Sequence, residues 1–361
     1  MFQPKPLNIF NQVILDGYIL PSKYILGPAI KIVLLLTSAY GSAFQLSWMS
    51  FYLFSNCRYT SKILLLEFSF HTTDVINLLF TCLVIVFGFN MDHFREFIST
   101  IQLLHIETDS FAVRKIKRNR RIIQALLSVA FTIYMTLYII TAKGLSIHTD
   151  NPFVFILRCF HAGLFRFGSL FHLNMICNIC FCLKAAFNQI NSQIANLNKL
   201  SDQSFGHLFH KIRDLRQKYS YAVRSTQSAE QLFRYYITRF YMEYFAFVTM
   251  NIVMSFGRKT RFDSSWFLYM LIDAILFILL TYNLVSVNNL SRKGMEDLYE
   301  LSFKLNTFES CHENDIFIAR MALSDVGFTF ANLFTINNSF ITSLFTLSLT
   351  IIITLASFIY Q

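Results

Sequence analysis

Apolar residues gather along this chain into seven long runs, separated by connections in which polar positions dominate. The runs are Lys31–Phe54, Lys62–Phe89, Ile122–Ser146, Phe153–Phe187, Leu232–Phe256, Ser265–Asn289 and Phe334–Tyr360. A bilayer core of ~30 Å is crossed by about 20 helical residues, so each run predicts a transmembrane helix. Barrel strands would alternate apolar and polar positions, and these runs are continuous. The fourth run is long enough to continue beyond the bilayer as helix. Long polar connections separate the runs at Asn90–Arg121, Asn188–Gln231 and Leu290–Leu333. The expected fold class is an all-α polytopic membrane protein, with seven transmembrane helices, a cytoplasmic N-terminus and an extracellular C-terminus. Three parts follow: a cytoplasmic N-terminus over 1–30, a six-helix transmembrane bundle over 31–333, and a seventh helix over 334–361.

Composition supports this reading. In 361 residues, 54% are hydrophobic and only 14% are charged, against about 25% charged in soluble proteins. The formal net charge of +10 does not indicate nucleic acid in so apolar a chain, whose mean hydropathy is +0.46. With the N-terminus inside, nineteen Lys and Arg fall in cytoplasmic segments and six outside, as the positive-inside rule requires. The densest group, Arg114 to Arg121, abuts the third span. A G-protein-coupled receptor runs the opposite way, and its Asp-Arg-Tyr and Asn-Pro-x-x-Tyr motifs are missing. The first residues lack the form of a signal peptide. Cys177, Cys180 and Cys182 sit in an apolar run, where thiols serve as small packing groups.

The last run carries no charge, and its polar residues are ordered. Ser339, Ser343, Thr346, Thr350, Thr354, Ser357 and Gln361 recur at spacings of 4, 3, 4, 4, 3 and 4, which places them on one helical face. Hydroxyls in membrane helices often bond back to their own backbone and permit close packing. A stripe through the whole span points further, to a face turned toward water. One helix cannot enclose water, but several copies around an axis can. The expected pore-lining residues are Ser343, Thr346, Thr350, Thr354, Ser357 and Gln361, and a neutral hydroxyl surface suits cation or mixed conduction.

Asn332-Leu333-Phe334-Thr335-Ile336-Asn337 and the ending Thr354-Leu355-Ala356-Ser357-Phe358-Ile359-Tyr360-Gln361 resemble the C-terminal signature of insect gustatory receptors. That signature has Gly-Leu-Phe before the last helix, then Thr-Tyr, five mostly apolar residues and Gln-Phe. Thr354 and Gln361 match at the right separation. Asn332 replaces the Gly, Leu355 replaces the Tyr, and the final Phe is missing after Gln361. The resemblance implies a homo- or hetero-tetrameric ligand-gated cation channel in the plasma membrane, with the last helices lining one pore. It implies that Gln361 lies near the narrow extracellular part, and that cytoplasmic extensions of helices four to seven form an anchor where subunits meet. A small-molecule tastant and membrane lipid are the expected partners.

Ionisable residues inside spans are costly and mark functional candidates. Glu67, His71 and Asp74 share a face of the second span, Arg239 and Glu243 pair at i, i+4 in the fifth, and Asp273 stands in the sixth. A ligand pocket is expected from Tyr134, Tyr138, Arg158, His161, Phe165, Trp266, Tyr269 and Asp273, which combine apolar walls with a few polar groups. Helix packing with buried ion pairs, including an Asp273–Arg158 clamp, is the competing account of the same residues. No HExxH, GxSxG, P-loop or paired CxxC occurs, so neither an enzyme nor a cofactor or metal site is expected. A transporter would show internal repeats or broken helices, yet all five prolines lie outside the spans. A non-conducting partner subunit of a heteromeric receptor remains an alternative.

Overall fold

The computed structural model describes residues 90–145, 152–200, 205–257, 264–323 and 326–360, with scattered helical positions within 32–43 and 72–84. The first two predicted spans, and with them Glu67, His71 and Asp74, lie largely outside the described residues. The third to sixth spans are helical where described, and the seventh is helical from Asn338 onward.

The chain enters α1 (Met91–Gln102) through Asn90, whose side chain accepts the Asp92 N–H at 2.9 Å. A 3-10 turn (Ile106–Thr108) leads to Asp109, whose carboxylate accepts the N–H groups of Phe111 and Ala112. That cap starts α2 (Ser110–Leu145), which therefore begins well before the predicted third span. Pro152 opens α3 (Pro152–Leu200) at the helical position where its missing N–H costs nothing. Then come α4 (Phe205–Gly257), α5 (Ser264–Arg292), α6 (Met295–Ser302), α7 (Phe308–Ala322), a two-stranded hairpin and α8 (Asn338–Tyr360).

With 49 and 53 residues, α3 and α4 run roughly 75–80 Å at 1.5 Å per residue. A bilayer core accounts for less than half of that length. Sequence reading treated Asn188–Gln231 and Leu290–Leu333 as polar connections, and the structure shows mostly helix there. The reason is amphipathic patterning. Ile190, Ile194 and Leu197 of α3 bury with Ile212, Leu215 and Tyr219 of α4, Leu298 and Leu301 of α6, and Phe317 and Met321 of α7. Polar cross-links fix the register. Asn191 donates to the Leu290 carbonyl at 2.9 Å, Asn198 to Glu300 at 2.9 Å, and Asn314 to the Leu298 carbonyl at 3.0 Å. The start of α6 presses so closely on α3 that a Cβ at Gly294 would lie 2.8 Å from the Asn191 Oδ1.

Among the described residues, α2, α3, α5 and α8 are long and apolar enough to cross a membrane. The fifth predicted span is the second half of α4, where Arg234, Arg239 and Glu243 dilute the apolar run. The seventh starts later than expected, at Asn338. Thr329 and Phe330 (β1) pair antiparallel with Thr335 and Phe334 (β2) in a hairpin. Ala331 and Asn332, in its turn, have φ of 52° and 60°. This left-handed conformation suits Gly and is tolerated by Asn.

Candidate functional site

Asn337 starts α8, its side chain accepting the Phe340 N–H at 2.9 Å. The helix packs on α4 through one face, with Phe340, Ile341 and Leu344 set against the core. Ser343, Thr346, Thr350, Thr354 and Ser357 lie on the other side and are all exposed. They are flanked by exposed Phe345, Leu349 and Ile353. The hydroxyls of Thr346, Thr350 and Thr354 each donate to the carbonyl four residues back, at 3.0, 2.9 and 2.8 Å. A hydroxyl has one hydrogen and two lone pairs. With the hydrogens spent on the backbone, the stripe offers acceptor oxygens outward, a surface that favours water and cations over anions. Gln361 lies outside the described residues.

Inside the bundle, polar groups from α2, α3, α4 and α5 meet. The Tyr134 hydroxyl donates to the Asp273 carboxylate. Tyr269 stacks obliquely on Tyr134, with centroids 5.6 Å apart, and donates to the Tyr134 carbonyl at 3.2 Å. The Arg166 guanidinium lies 4.5 Å from the Tyr134 ring centre and attracts both Asp273 and Glu243. One turn further along α3, Ser169 accepts from Arg239 Nη1 at 3.0 Å, and its carbonyl accepts from Tyr236 at 2.7 Å. Arg239 forms an ion pair with Glu243, as the i, i+4 spacing predicts. Two guanidinium groups thus face two carboxylates, which keeps the net charge of the cluster near zero and moderates the cost of burying it. His172 stacks on Tyr236, with centroids 5.2 Å apart.

Of the expected pocket residues, the structure brings Tyr134, Tyr269 and Asp273 into contact and places Phe165 beneath Arg239, 5.7 Å from the guanidinium. Tyr138 is half-buried one turn along α2 from Tyr134. The side chains of Arg158, His161 and Trp266 lie outside the described residues. The Asp273–Arg158 clamp, the competing account of these residues, falls outside the described side chains; among the described ones, Tyr134 donates to Asp273 and Arg166 attracts it. Sequence reasoning missed Ser169 and Tyr236, whose roles depend on which faces of α3 and α4 meet.

A second group of aromatics links the bundle to α8. The Tyr241 ring stands 5.2 Å from Phe277 of α5, 6.3 Å from Phe330 of the hairpin and 5.7 Å from Phe340 of α8. Its hydroxyl meets Thr281 Oγ1 at 2.9 Å. The hairpin is fastened to α4 by Thr329, which donates to Glu230, and by the Ala331 N–H, which donates to Thr238 at 3.0 Å. Asn288 of α5 holds the Val326 carbonyl at 2.7 Å. These contacts connect α4 and α5 to the base of α8.

No protein-family model matches the chain, and no curated protein sequence matches it. Solved structures do. The insect olfactory receptor OR5 from Machilis hrabei in complex with eugenol superposes with a TM-score of 0.69 at 13% identity, covering 96% of this chain and 95% of that one. A second structure of the same receptor gives 0.63 at 12% identity, covering 95% of each chain. At such low identity the likeness establishes the fold. The chain is an all-α polytopic membrane protein with the fold of an insect olfactory receptor along nearly its whole length.

Proposed function

We propose that this chain is a chemosensory receptor subunit of the gustatory kind, a ligand-gated, non-selective cation channel of the plasma membrane. Four subunits, identical or related, surround one pore lined by the α8 stripe, with Gln361 at its extracellular end. The observation that carries the reading is the direction of that stripe. Its hydroxyls lie opposite the face that packs on α4, so neighbouring chains can approach them around a common axis.

The ligand site in this proposal is the pocket region around Tyr134, Tyr138, Phe165, Tyr269 and Asp273, completed by Arg158, His161 and Trp266. The described charges there already balance, so a small neutral molecule with aromatic or hydrogen-bonding character suits it better than an ion. Binding acts by preferring one state of the bundle over the other, and Tyr241 with the hairpin transmits the change to α8. Eugenol, bound by the olfactory receptor of like fold, belongs in the first ligand panel with sugars and bitter compounds.

Cysteine accessibility tests the reading. Thr350→Cys, Thr354→Cys and Ser357→Cys should react with a water-soluble thiol reagent much faster than Ile351→Cys, Ile352→Cys and Leu355→Cys. Modification of the stripe should also alter ligand-evoked calcium entry in a receptor-free cell. Equal reactivity of the two faces would overturn the pore assignment.

A further inference from the structure

The first turns of α2 hold a basic surface that neither pore nor pocket uses. Arg114, Lys117, Arg118 and Arg121 fall at spacings of three, one and three, on one helical face, and all four are exposed. Ile116 and Ile123, on the opposite face, are buried in the core. None of the four is ion-paired to a carboxylate among the described residues. Arg114 Nε makes a bond to the Ser110 carbonyl at 3.2 Å. Exposed Phe111 and Ile122 flank the face.

A chain of neighbours runs from the start of α8 towards this surface. Phe340, in the first turn of α8, meets Tyr241, and the Tyr241 hydroxyl meets Thr281 of α5. Two residues on, Asn283 accepts from Lys184 of α3 at 2.8 Å, and Lys184 is repelled by Lys115 of α2. The basic turns therefore lie toward the same end of the bundle as the start of the last helix, the cytoplasmic side by the distribution of Lys and Arg. The same face continues along α2 with exposed Val129, Thr132, Thr136 and Ile139, so it stays on the outside of the protomer. An orientation signal needs only the number of charges and does not require them to share a face. Fixed cations on an outward face at this end of the bundle, repelling one another and lacking carboxylate partners, are matched by phosphate.

We propose that Arg114, Lys117, Arg118 and Arg121 form a binding site for anionic phospholipid headgroups of the cytoplasmic leaflet. Arginine forks grip phosphate oxygens in pairs, and several converging cations favour a polyphosphorylated inositol headgroup over a singly charged one. The site does not depend on the channel reading, because lipid binding is measured without conduction.

Purified full-length protein in neutral detergent is titrated with fluorescent phosphatidylinositol bisphosphate, phosphatidylserine and phosphatidylcholine, and with free inositol trisphosphate. Binding should be tightest for the bisphosphate lipid, weaker for phosphatidylserine and near background for phosphatidylcholine and the free headgroup. R118Q/R121Q should weaken the first roughly 25-fold, about 5-fold for each basic residue removed near the surface. R118K/R121K, which keeps both charges but loses the bidentate forks, should fall between wild type and R118Q/R121Q, and K211Q/R213Q, which removes exposed charges from the distal part of α4, should leave binding unchanged. Wild-type binding no tighter for the bisphosphate lipid than for phosphatidylcholine would overturn the proposal. So would equal loss in K211Q/R213Q, or a signal from the free headgroup equal to that from the lipid. Should R118Q/R121Q fail to purify, the wild-type lipid preference and the R118K/R121K protein decide the matter.

Discussion

Two sets of polar side chains occupy the membrane half of this protein, and they are built in opposite ways. The inner set is charged and joins four helices: Tyr134 of α2, Arg166 and Ser169 of α3, Arg239 and Glu243 of α4, and Asp273 of α5. The outer set, on α8, is neutral, and its threonines spend their hydrogens on their own backbone. Surroundings differ as sharply. Within the protomer 83% of the most apolar stretch of α3 is buried, against 0% for that of α8. Polar groups turned into the bundle need partners on other helices and so tie it together. Polar groups turned away satisfy themselves and leave their oxygens free for whatever fills the space outside. The first set is therefore expected to govern stability and the second conduction.

The hardest test of this contrast is Glu243→Gln. Arg239 is only 1% exposed, and the change would strip its charge of the carboxylate partner. Breaking a buried pair from one side costs about 3–5 kcal/mol, so the unfolding temperature of the purified protein should fall by many degrees. Arg239→Met combined with Glu243→Leu should cost far less, because neither charge is then left alone. A Glu243→Gln protein as stable as wild type would show that the cluster is wet and does not hold the bundle.

Tyr134→Phe should cost less. It removes one donor from Asp273 while Arg166 stays close, and a buried acceptor losing a partner costs about 1–3 kcal/mol. The same thermal measurement checks it, and Tyr269→Phe, whose hydroxyl donates to the Tyr134 backbone carbonyl, should fall at the low end of that range.

These groups were unequally legible in the sequence. The i, i+4 spacing of Arg239 and Glu243 is local information, and so is the hydroxyl stripe, because one helix fixes both. The apolar stretches of α2, α3, α5 and α8 follow from hydropathy, for the bilayer sets the length of a span. The partner of Asp273 depends on how α2 and α3 slide past each other, and spacing within one helix says nothing about that. The same limit hid Tyr241, whose neighbours come from α5, the hairpin and α8. The second half of α3 and the first half of α4 looked like connections because their polar face dominates the composition. Only the alternation of Ile190, Ile194 and Leu197 with polar residues marks them as packed helix.

The smallest expected effect sharpens the comparison most. Thr350→Val and Thr354→Val keep the shape of each side chain and remove an oxygen that bonds only within α8 and faces away from α4. An exposed change that breaks no cross-helix contact shifts stability by about 0.5 kcal/mol or less, so thermal unfolding should match wild type. Under the proposed pore, the oxygen would stand along the ion path, and its loss should reduce ligand-evoked cation current. The two readings of the stripe then separate on a single pair of measurements. If Thr350→Val lowers the unfolding temperature as much as Tyr134→Phe and leaves the current intact, the hydroxyl is holding helices together and the water-facing assignment falls. If stability is kept and current is lost, the outer set has no structural task to explain its order, and conduction is the function that remains.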